Sequence, residues 1–343
     1  MTIMSSKQLS IILPVFNVEE YLERCVVSLL RQNLMASEYE IIVVNDGSPD
    51  KSGEVAQDLM SKHASIRYFE QVNQGVSAAR NKGISVAEGA YLLFVDPDDY
   101  VLALSLEQAI KEARTMNLDI YFLGYTFLDA QGQAVASVVN TNEAGQVLSG
   151  IEAYHRARAD FRIDPDRSVG ILYRNDFLKQ NSLTYPRDIP YLEDGEFLAR
   201  SLCVAKRCSF SGRPFYVRTT RPGSATNSNL FYSEEAVKGF GKAAVGLKLF
   251  QGTPGLSKEQ RQFLNQPIAK FALLTIQGCT SLMSLRYVLA SIRRLKLAGL
   301  SKLDTAFCKP IYRRYGQIYN ISPFLFWAYF GIDKGIRKLF SWR

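Results

Sequence analysis

Three carboxylates crowd the end of one apolar run, Leu92-Leu93-Phe94-Val95-Asp96-Pro97-Asp98-Asp99. Like charges held this close repel, and each must be solvated, paired or neutralised. A divalent cation such as Mg²⁺ or Mn²⁺ resolves the repulsion, because hard cations take carboxylate oxygens together with the phosphate oxygens of a substrate. A second acidic run end lies upstream, Val43-Val44-Asn45-Asp46-Gly47-Ser48, and the first apolar run closes on Pro14-Val15-Phe16-Asn17. A carboxylate such as Asp46 can accept the N–H of a pyrimidine ring, and Gly47 lets the backbone pass close to a ligand. Either motif alone also describes a turn that caps a helix. Two acidic strand ends on one sheet edge are more than capping requires.

Two further segments carry chemistry. Asn73-Gln74-Gly75-Val76-Ser77-Ala78-Ala79-Arg80-Asn81-Lys82-Gly83 opens a helix at Gly75. Arg80 lies one turn in, where its fork of donors could grip a pyrophosphate. Taken alone, it is equally a surface arginine on an Ala-rich helix. Tyr191-Leu192-Glu193-Asp194-Gly195-Glu196-Phe197 gathers acids at the start of another helix. A carboxylate there can take a proton from an attacking hydroxyl, or can merely offset the helix dipole. The first βα turn lacks G-x-G-x-x-G, and no strand leads into Gly-Lys-Ser/Thr. A dinucleotide fingerprint and a P-loop are both excluded.

The elements that must hold these residues alternate. Buried-strand runs Leu9–Val15, Tyr39–Asn45, Ile66–Glu70 and Ala90–Val95 are separated by single stretches of helical spacing. These are Val18 to Leu30, about Asp50 to Lys62, and Val76 to Glu88. Strands joined by single helices predict right-handed βαβ crossovers and an α/β, doubly wound, mostly parallel sheet. Such sheets bind ligands beyond the carboxyl ends of their strands, where the acids sit. Ala130–Gly150 reads as a hairpin or loop insertion. From about Phe231 the pattern is helical, with breaks at Gly252–Gly255 and Leu297–Ser301.

Together, I-I-L-P-V-F-N-V-E-E-Y-L, I-I-V-V-N-D-G-S-P-D, N-Q-G-V-S-A-A-R-N-K-G and Y-L-L-F-V-D-P-D-D resemble the inverting family 2 glycosyltransferases of GT-A fold, of the bacterial surface or capsular polysaccharide type. The resemblance covers about residues 9–220. It implies a nucleotide-sugar-binding and catalytic domain over 1–230, followed by a helical extension over 231–343. It implies a UDP-sugar donor held around Pro14, Phe16, Asn17, Glu19, Asp46 and Gly47, with Phe16, Glu19 and Asp46 on the uracil and ribose. Asp96 and Asp98 match the family's D-x-D motif. Asp98 would bind a Mn²⁺ or Mg²⁺ that bridges the diphosphate, with Asp96 near the ribose or sugar. Asp99 would support the donor sugar or the metal shell, and Arg80 the diphosphate or sugar. Asp194 would be the general base and Glu193 its neighbour. Arg218 and Arg221, in Y-V-R-T-T-R, would be further diphosphate partners. The implied acceptor is a hydroxyl of a glycan or lipid-linked glycan. Transfer to a polyprenyl phosphate, or a non-catalytic nucleotide-sugar-binding scaffold, are the competing readings.

Composition sets the compartment. Five scattered cysteines and two histidines among 343 residues exclude a disulfide framework, a zinc site and a histidine triad. The net charge of +8 is uneven: residues 258–343 hold 15 Lys/Arg against 3 Asp/Glu, leaving residues 1–257 at −4. That tail interleaves cations (Arg286, Arg293, Arg294, Lys296, Arg313, Arg314, Lys334, Arg337, Lys338) with aromatics (Phe324, Phe326, Trp327, Tyr329, Phe330, Phe340, Trp342). Cations attract anionic head groups and aromatics embed at the interface, so a peripheral helix at the inner face of the cell membrane is expected. A helical bundle with solvated cations would carry the same pattern. No nucleic-acid module accompanies the charge, so nucleic acid is not an expected partner. No signal peptide is expected, and no apolar run approaches the roughly 20 residues a spanning helix needs. A cytoplasmic protein is predicted.

Overall fold

The computed structural model describes residues 7–129, 131–159, 167–219, 233–282 and 284–340. The chain divides into two compact units, residues 1–187 with 204–221, and residues 188–203 with 222–343. Segment 188–203, expected in the catalytic portion, thus groups with the C-terminal helices.

The first unit alternates as the apolar runs demand: β1 (Leu9–Val15), α1 (Glu19–Leu30), β2 (Tyr39–Asn45), α2 (Ser52–Lys62), β3 (Ile66–Glu70), α3 (Val76–Val86) and β4 (Tyr91–Phe94). There follow β5 (Tyr100–Val101), α4 (Leu106–Thr115), β6 (Ile120–Leu128), β7 (Ala134–Val138), α5 (Gly150–Ala159), β8 (Ile171–Arg174), α6 (Asn175–Gln180) and, after a helix of the other unit, β9 (Cys208–Arg218). Every residue of β1 and β2 is buried. Helices covering both faces explain their mostly apolar character, broken only by Ser10, Glu40 and Asn45.

Among the described residues the nine strands form one sheet, ordered β3-β2-β1-β4-β8-β6-β9-β5, with β7 on β6. The half β3-β2-β1-β4 is parallel throughout. Beyond it, β8 pairs antiparallel with both β4 and β6, β9 returns parallel to β6, and the β6–β7 hairpin fills the expected insertion. Strand order reverses between β1 and β4, which makes their carboxyl ends the topological switch point. The β1–β4 ladder stops at Ile12↔Phe94, whereas β1 stays paired with β2 through Pro14↔Val44 to Val15↔Asn45. Pro14 has no N–H to donate, and it stands past the point where β4 would need one.

The second unit holds α7 (Glu193–Val204), α8 (Glu234–Gln251), α9 (Lys258–Leu282), α10 (Leu285–Leu297), α11 (Pro310–Ile321) and α12 (Pro323–Phe340). The chain leaves helix after Gln251 and after Leu297, at both expected breaks. Val237, Cys279 and Val288 form a buried apolar cluster there. Arg221 and Trp342 lie outside the described residues.

At the amino edge of the parallel half, Glu40 is buried within a full set of donors. Its Oε1 accepts from Ser10 Oγ (2.6 Å) and the Glu88 N–H (2.8 Å), and its Oε2 from Arg67 Nη1 (2.6 Å) and Lys7 Nζ (3.2 Å). Burial opposes its ionisation, but the Ser10 and Arg67 bonds outweigh that and hold the carboxyl below the usual 4.5. A depressed carboxylate contributes stability that is complete above its ordinary value and lost as pH falls through the folded one. Removing one partner of a buried pair strands the rest. Glu40→Ala should therefore cost about 3 kcal/mol in urea unfolding at pH 7. The wild type should lose part of that margin below pH 4.5. An unchanged midpoint for the variant at pH 7 would contradict this account of the edge.

Candidate functional site

The switch point is built by side chains that brace its loops. Asp46, at the end of β2, is buried, and its carboxylate grips the loop before α3. Oδ1 accepts from Gln71 Nε2 (2.7 Å) and the Gln74 N–H (2.9 Å), and Oδ2 from the Gly75 N–H (2.8 Å). Gly75 caps α3 at φ 85° and ψ 163°, a backbone region open essentially to glycine alone. Gly47 sits at φ 68°, and a Cβ there would meet the Asn73 nitrogen at 3.0 Å and the Gln71 oxygen at 3.3 Å. The loops after β2 and β3 therefore approach as closely as backbone allows.

The β1 turn is tied to the same loops. The Asn17 N–H reaches Ser48 Oγ (3.4 Å), and Asn17 adopts φ 54°. Glu19 and Asp50 exchange caps: the Glu19 N–H donates to Asp50 Oδ2 (3.0 Å), and Glu19 Oε2 accepts the Lys51 N–H (2.7 Å). Glu19 thus has a structural occupation beside the nucleotide role expected of it. Pro14 is buried within β1, whereas the Phe16 ring, 45% exposed, is presented at the edge.

The Asp96–Asp99 turn follows β4. Asp99 is buried and faces inward: Oδ2 accepts from the Tyr216 hydroxyl (2.8 Å) and Oδ1 from the Thr219 N–H (2.8 Å). The same Tyr216 oxygen accepts the Asp96 N–H (3.1 Å). Thr219 Oγ1 and Arg24 Nη2 both donate to the Asp98 carbonyl, each at 2.6 Å. Arg24 also lies over the Tyr100 ring at 5.3 Å. Arg80 is buried, donates to Asp96 Oδ1 (3.0 Å) and stacks over Tyr185 at 5.0 Å. Asn81 holds both backbone groups of Tyr185 (2.8 and 2.7 Å).

Three of the expected site residues also have structural partners within the fold. Arg80 acts from behind Asp96, because a buried guanidinium needs an anionic partner. Asp99 latches the turn to the end of β9, because a carboxyl this buried must be hydrogen-bonded. Arg218 lies over the Phe127 ring at 5.0 Å within β9. Tyr216, Thr219, Arg24 and Tyr185 were not singled out in the sequence, since nothing local marks a tyrosine in a strand as the partner of an acid 117 residues away.

Burial, and then the charges of Asp96 and Asp98, push the Asp99 carboxyl well above the ordinary carboxylate range. Burial, then the Asp99 and Asp98 charges, do the same to the Cys25 thiol beneath it. Asp96 and Asp98 are partly exposed. Two such carboxylates, with a third turned away, suit a Mg²⁺- or Mn²⁺-type ion that completes its shell from a diphosphate and water. Among the described residues no group of three or more His, Cys, Asp or Glu could hold a metal. Glu193 and Asp194 occupy the first turn of α7 in the second unit, both partly buried.

The Tyr216 hydroxyl both donates to Asp99 and accepts from Asp96, so its loss strands two polar groups. Tyr216→Phe should lower unfolding stability by about 2 kcal/mol. Urea denaturation checks this, and a variant as stable as wild type would show the latch to be incidental.

Comparison with known proteins accords with this geometry. The model of the glycosyl transferase family 2 matches residues 10–132. An uncharacterized glycosyltransferase, EpsJ of Bacillus subtilis (strain 168), is 33% identical over 83% of this chain and 82% of its own length. The poly(ribitol-phosphate) β-N-acetylglucosaminyltransferase TarS of Staphylococcus aureus (strain MW2) is 26% identical over 64% of this chain, which spans 37% of TarS. The crystal structure of S. aureus TarS 1–349 in complex with UDP-GlcNAc superposes with a TM-score of 0.69 at 21% identity, covering 93% of this chain and 89% of that one. The mannosyltransferase PcManGT of Pyrobaculum calidifontis, solved with GDP-Man and Mn²⁺, gives a TM-score of 0.50 at 13% identity, covering 95% and 87%. The fold is the GT-A type expected from the motifs, and the chain is a glycosyltransferase belonging to glycosyl transferase family 2.

Proposed function

We propose that the chain is an inverting, metal-dependent transferase that moves a hexosyl or N-acetylhexosaminyl group from a UDP-sugar to a hydroxyl of a glycan or lipid-linked glycan in surface polysaccharide synthesis. The observation that carries this reading is the partly exposed Asp96–Asp98 pair at the β1/β4 switch point, braced from beneath by Arg24, Tyr216 and Thr219. UDP-GlcNAc bound to TarS and Mn²⁺ bound to PcManGT support the choice of donor and ion.

The exposed Phe16 ring gives uracil a face to stack on. Three of the roughly four acceptor positions of Asp46 are filled by the 71–75 loop, and the fourth suits the uracil N–H. Asp96 and Asp98 would hold the divalent ion, whose charge offsets that developing on the departing diphosphate. Asp194 takes the proton of the acceptor hydroxyl as its oxygen attacks the anomeric carbon, with Glu193 beside it. In-line attack opposite the leaving diphosphate inverts the anomeric centre.

We assign the cytoplasmic face of the membrane as the place of action. No helix of the described residues is long and apolar enough to cross a membrane. On α10 the buried stripe is Val288, Ser291 and Leu295. The opposite face carries Leu289 (54% exposed) and Leu297 (80% exposed) among Arg286, Arg293 and Lys296, with no acid in the helix. Apolar side chains set among cations suit an anionic bilayer.

Release of UDP from UDP-sugars in the presence of hydroxyl acceptors tests the activity. Asp194→Asn should lower turnover at least 100-fold while UDP still binds, in line with loss of a general base. Full turnover of Asp194→Asn with a polyprenyl phosphate, whose oxygen is already anionic, would favour that acceptor instead. Tight UDP binding without turnover on any acceptor would favour a scaffold. Sedimentation with vesicles tests the membrane face. Binding to phosphatidylglycerol but not phosphatidylcholine vesicles, lost in the double variant Leu289→Glu, Leu297→Glu, is expected. Equal sedimentation of that variant would remove α10 from the interface.

A further inference from the structure

Helix α8 carries Gly239, Gly241 and Gly246 in its interior, each costing about 1 kcal/mol of helix propensity against alanine. Gly241 packs against Thr275 of α9, where a Cβ would fit at ordinary contact, 3.4 Å. The other two face the segment that carries Glu193 and Asp194. A Cβ on Gly239 would lie 2.9 Å from the Tyr191 nitrogen and 3.0 Å from its oxygen, both backbone atoms that cannot swing aside. A Cβ on Gly246 would meet Glu196 Oε1 at 3.3 Å and Ile189 Cδ1 at 3.8 Å. Between them Lys242 Nζ donates to the Asp188 carbonyl (2.7 Å) and lies 3.6 Å from the Asp188 carboxylate. Positions 239, 242 and 246 are spaced by three and four, so they share one helix face.

The gripped segment is itself constrained. Leu192, immediately before α7, adopts φ 65°, a conformation that a branched side chain takes only when its surroundings impose it. Its carbonyl accepts the Glu196 N–H (2.9 Å), which starts the helix. Glu196 is buried and held by Arg200 Nε (2.8 Å) and Nη2 (2.7 Å), and Arg200 lies over Phe250 of α8 at 5.9 Å. From Gly239 to Phe250, α8 closely approaches residues 188, 189, 191, 196 and 200, on both sides of Asp194 in sequence.

We infer that α8 is the positioning element of the acceptor side: Gly239 and Lys242 fix residues 188–192 and so set the place of the Asp194 carboxylate. This rests on the reading of Asp194 as the base. The helical region is then part of the catalytic apparatus as well as a surface for other contacts. A general base must stand within hydrogen-bond reach of its proton, and a misplacement of about 1 Å can cost about 100-fold.

The test compares Gly239→Ala, Lys242→Met and Lys242→Arg with Asp194→Asn in the full chain. UDP affinity by calorimetry, thermal midpoint, and kcat and KM for the UDP-sugar are measured for each. Gly239→Ala should lower kcat about 100-fold and Lys242→Met about 10-fold, with UDP affinity and donor KM within twofold of wild type. Lys242→Arg, which restores a donor and a charge, should recover most of the Lys242→Met loss. Lys242 is half-exposed, so its variants keep the fold even if Gly239→Ala does not. An inactive Asp194→Asn alongside fully active Lys242→Met and Gly239→Ala would overturn the positioning role alone. A parallel fall of kcat, UDP affinity and thermal midpoint in Lys242→Met would overturn it in favour of a merely structural one. An active Asp194→Asn would instead overturn the base reading on which it stands.

Discussion

Repulsion among the carboxylates of Asp96, Asp98 and Asp99 is the constraint around which the first unit is organised. Charges so close cannot all be ionised and unpartnered in a partly buried turn. The fold answers by dividing them. Asp99 is buried and given to Tyr216 and Thr219, and Asp96 is paired with Arg80. The Asp98 peptide is pinned by Arg24 and Thr219, and the residue is partly exposed. Each neighbour has its own support, since Arg80 rests on Tyr185, which Asn81 holds by its backbone. The position of the two presented carboxylates thus depends on strands β4 and β9, on helices α1 and α3, and on the Tyr185 segment.

A similar economy governs the other acids. Asp46 spends three acceptor positions on the loop that opens α3, and Glu19 is part of a cap shared with Asp50 and Lys51. Motif residues of this kind serve the local backbone and, in the proposed reading, the ligand as well. Reading an acid in a turn as either a cap or a ligand contact sets up a false choice, because one carboxylate has about four acceptor positions and can do both.

The parallel half of the sheet was legible because fully buried strands must be mostly apolar runs. Leu9–Val15 and Tyr39–Asn45, buried along their whole length, end where the sequence pattern ends, and so does Ile66–Glu70, which is buried only at Ile66. The two-residue β5 and four-residue β8 carry too little pattern to read, and the eleven-residue β9 is interrupted by Gly212 and Pro214. The acidic strand ends were legible, since three carboxylates in four residues violate local expectation. Their partners were not. Tyr216 and Arg24 are ordinary residues in a strand and a helix, and only the tertiary pairing of β5 with β9 and the packing of α1 bring them to the turn. Arg80 was ambiguous for the same reason, because an arginine on an Ala-rich helix does not declare whether it faces water or a buried acid. The glycines of α8 did carry a signal, a weak propensity within a strongly helical stretch, but their purpose needed Tyr191 in view.

Asp96 and Asp98 are proposed to form, with a divalent ion, the diphosphate site of a UDP-sugar. Calorimetric titration of UDP into wild type and Asp98→Ala, with Mn²⁺, with Mg²⁺ and with chelator, tests it directly. Binding to wild type is expected only when a divalent ion is present, with loss of that binding on Asp98→Ala. UDP affinity that is indifferent to both the ion and the Asp98 carboxylate would contradict it.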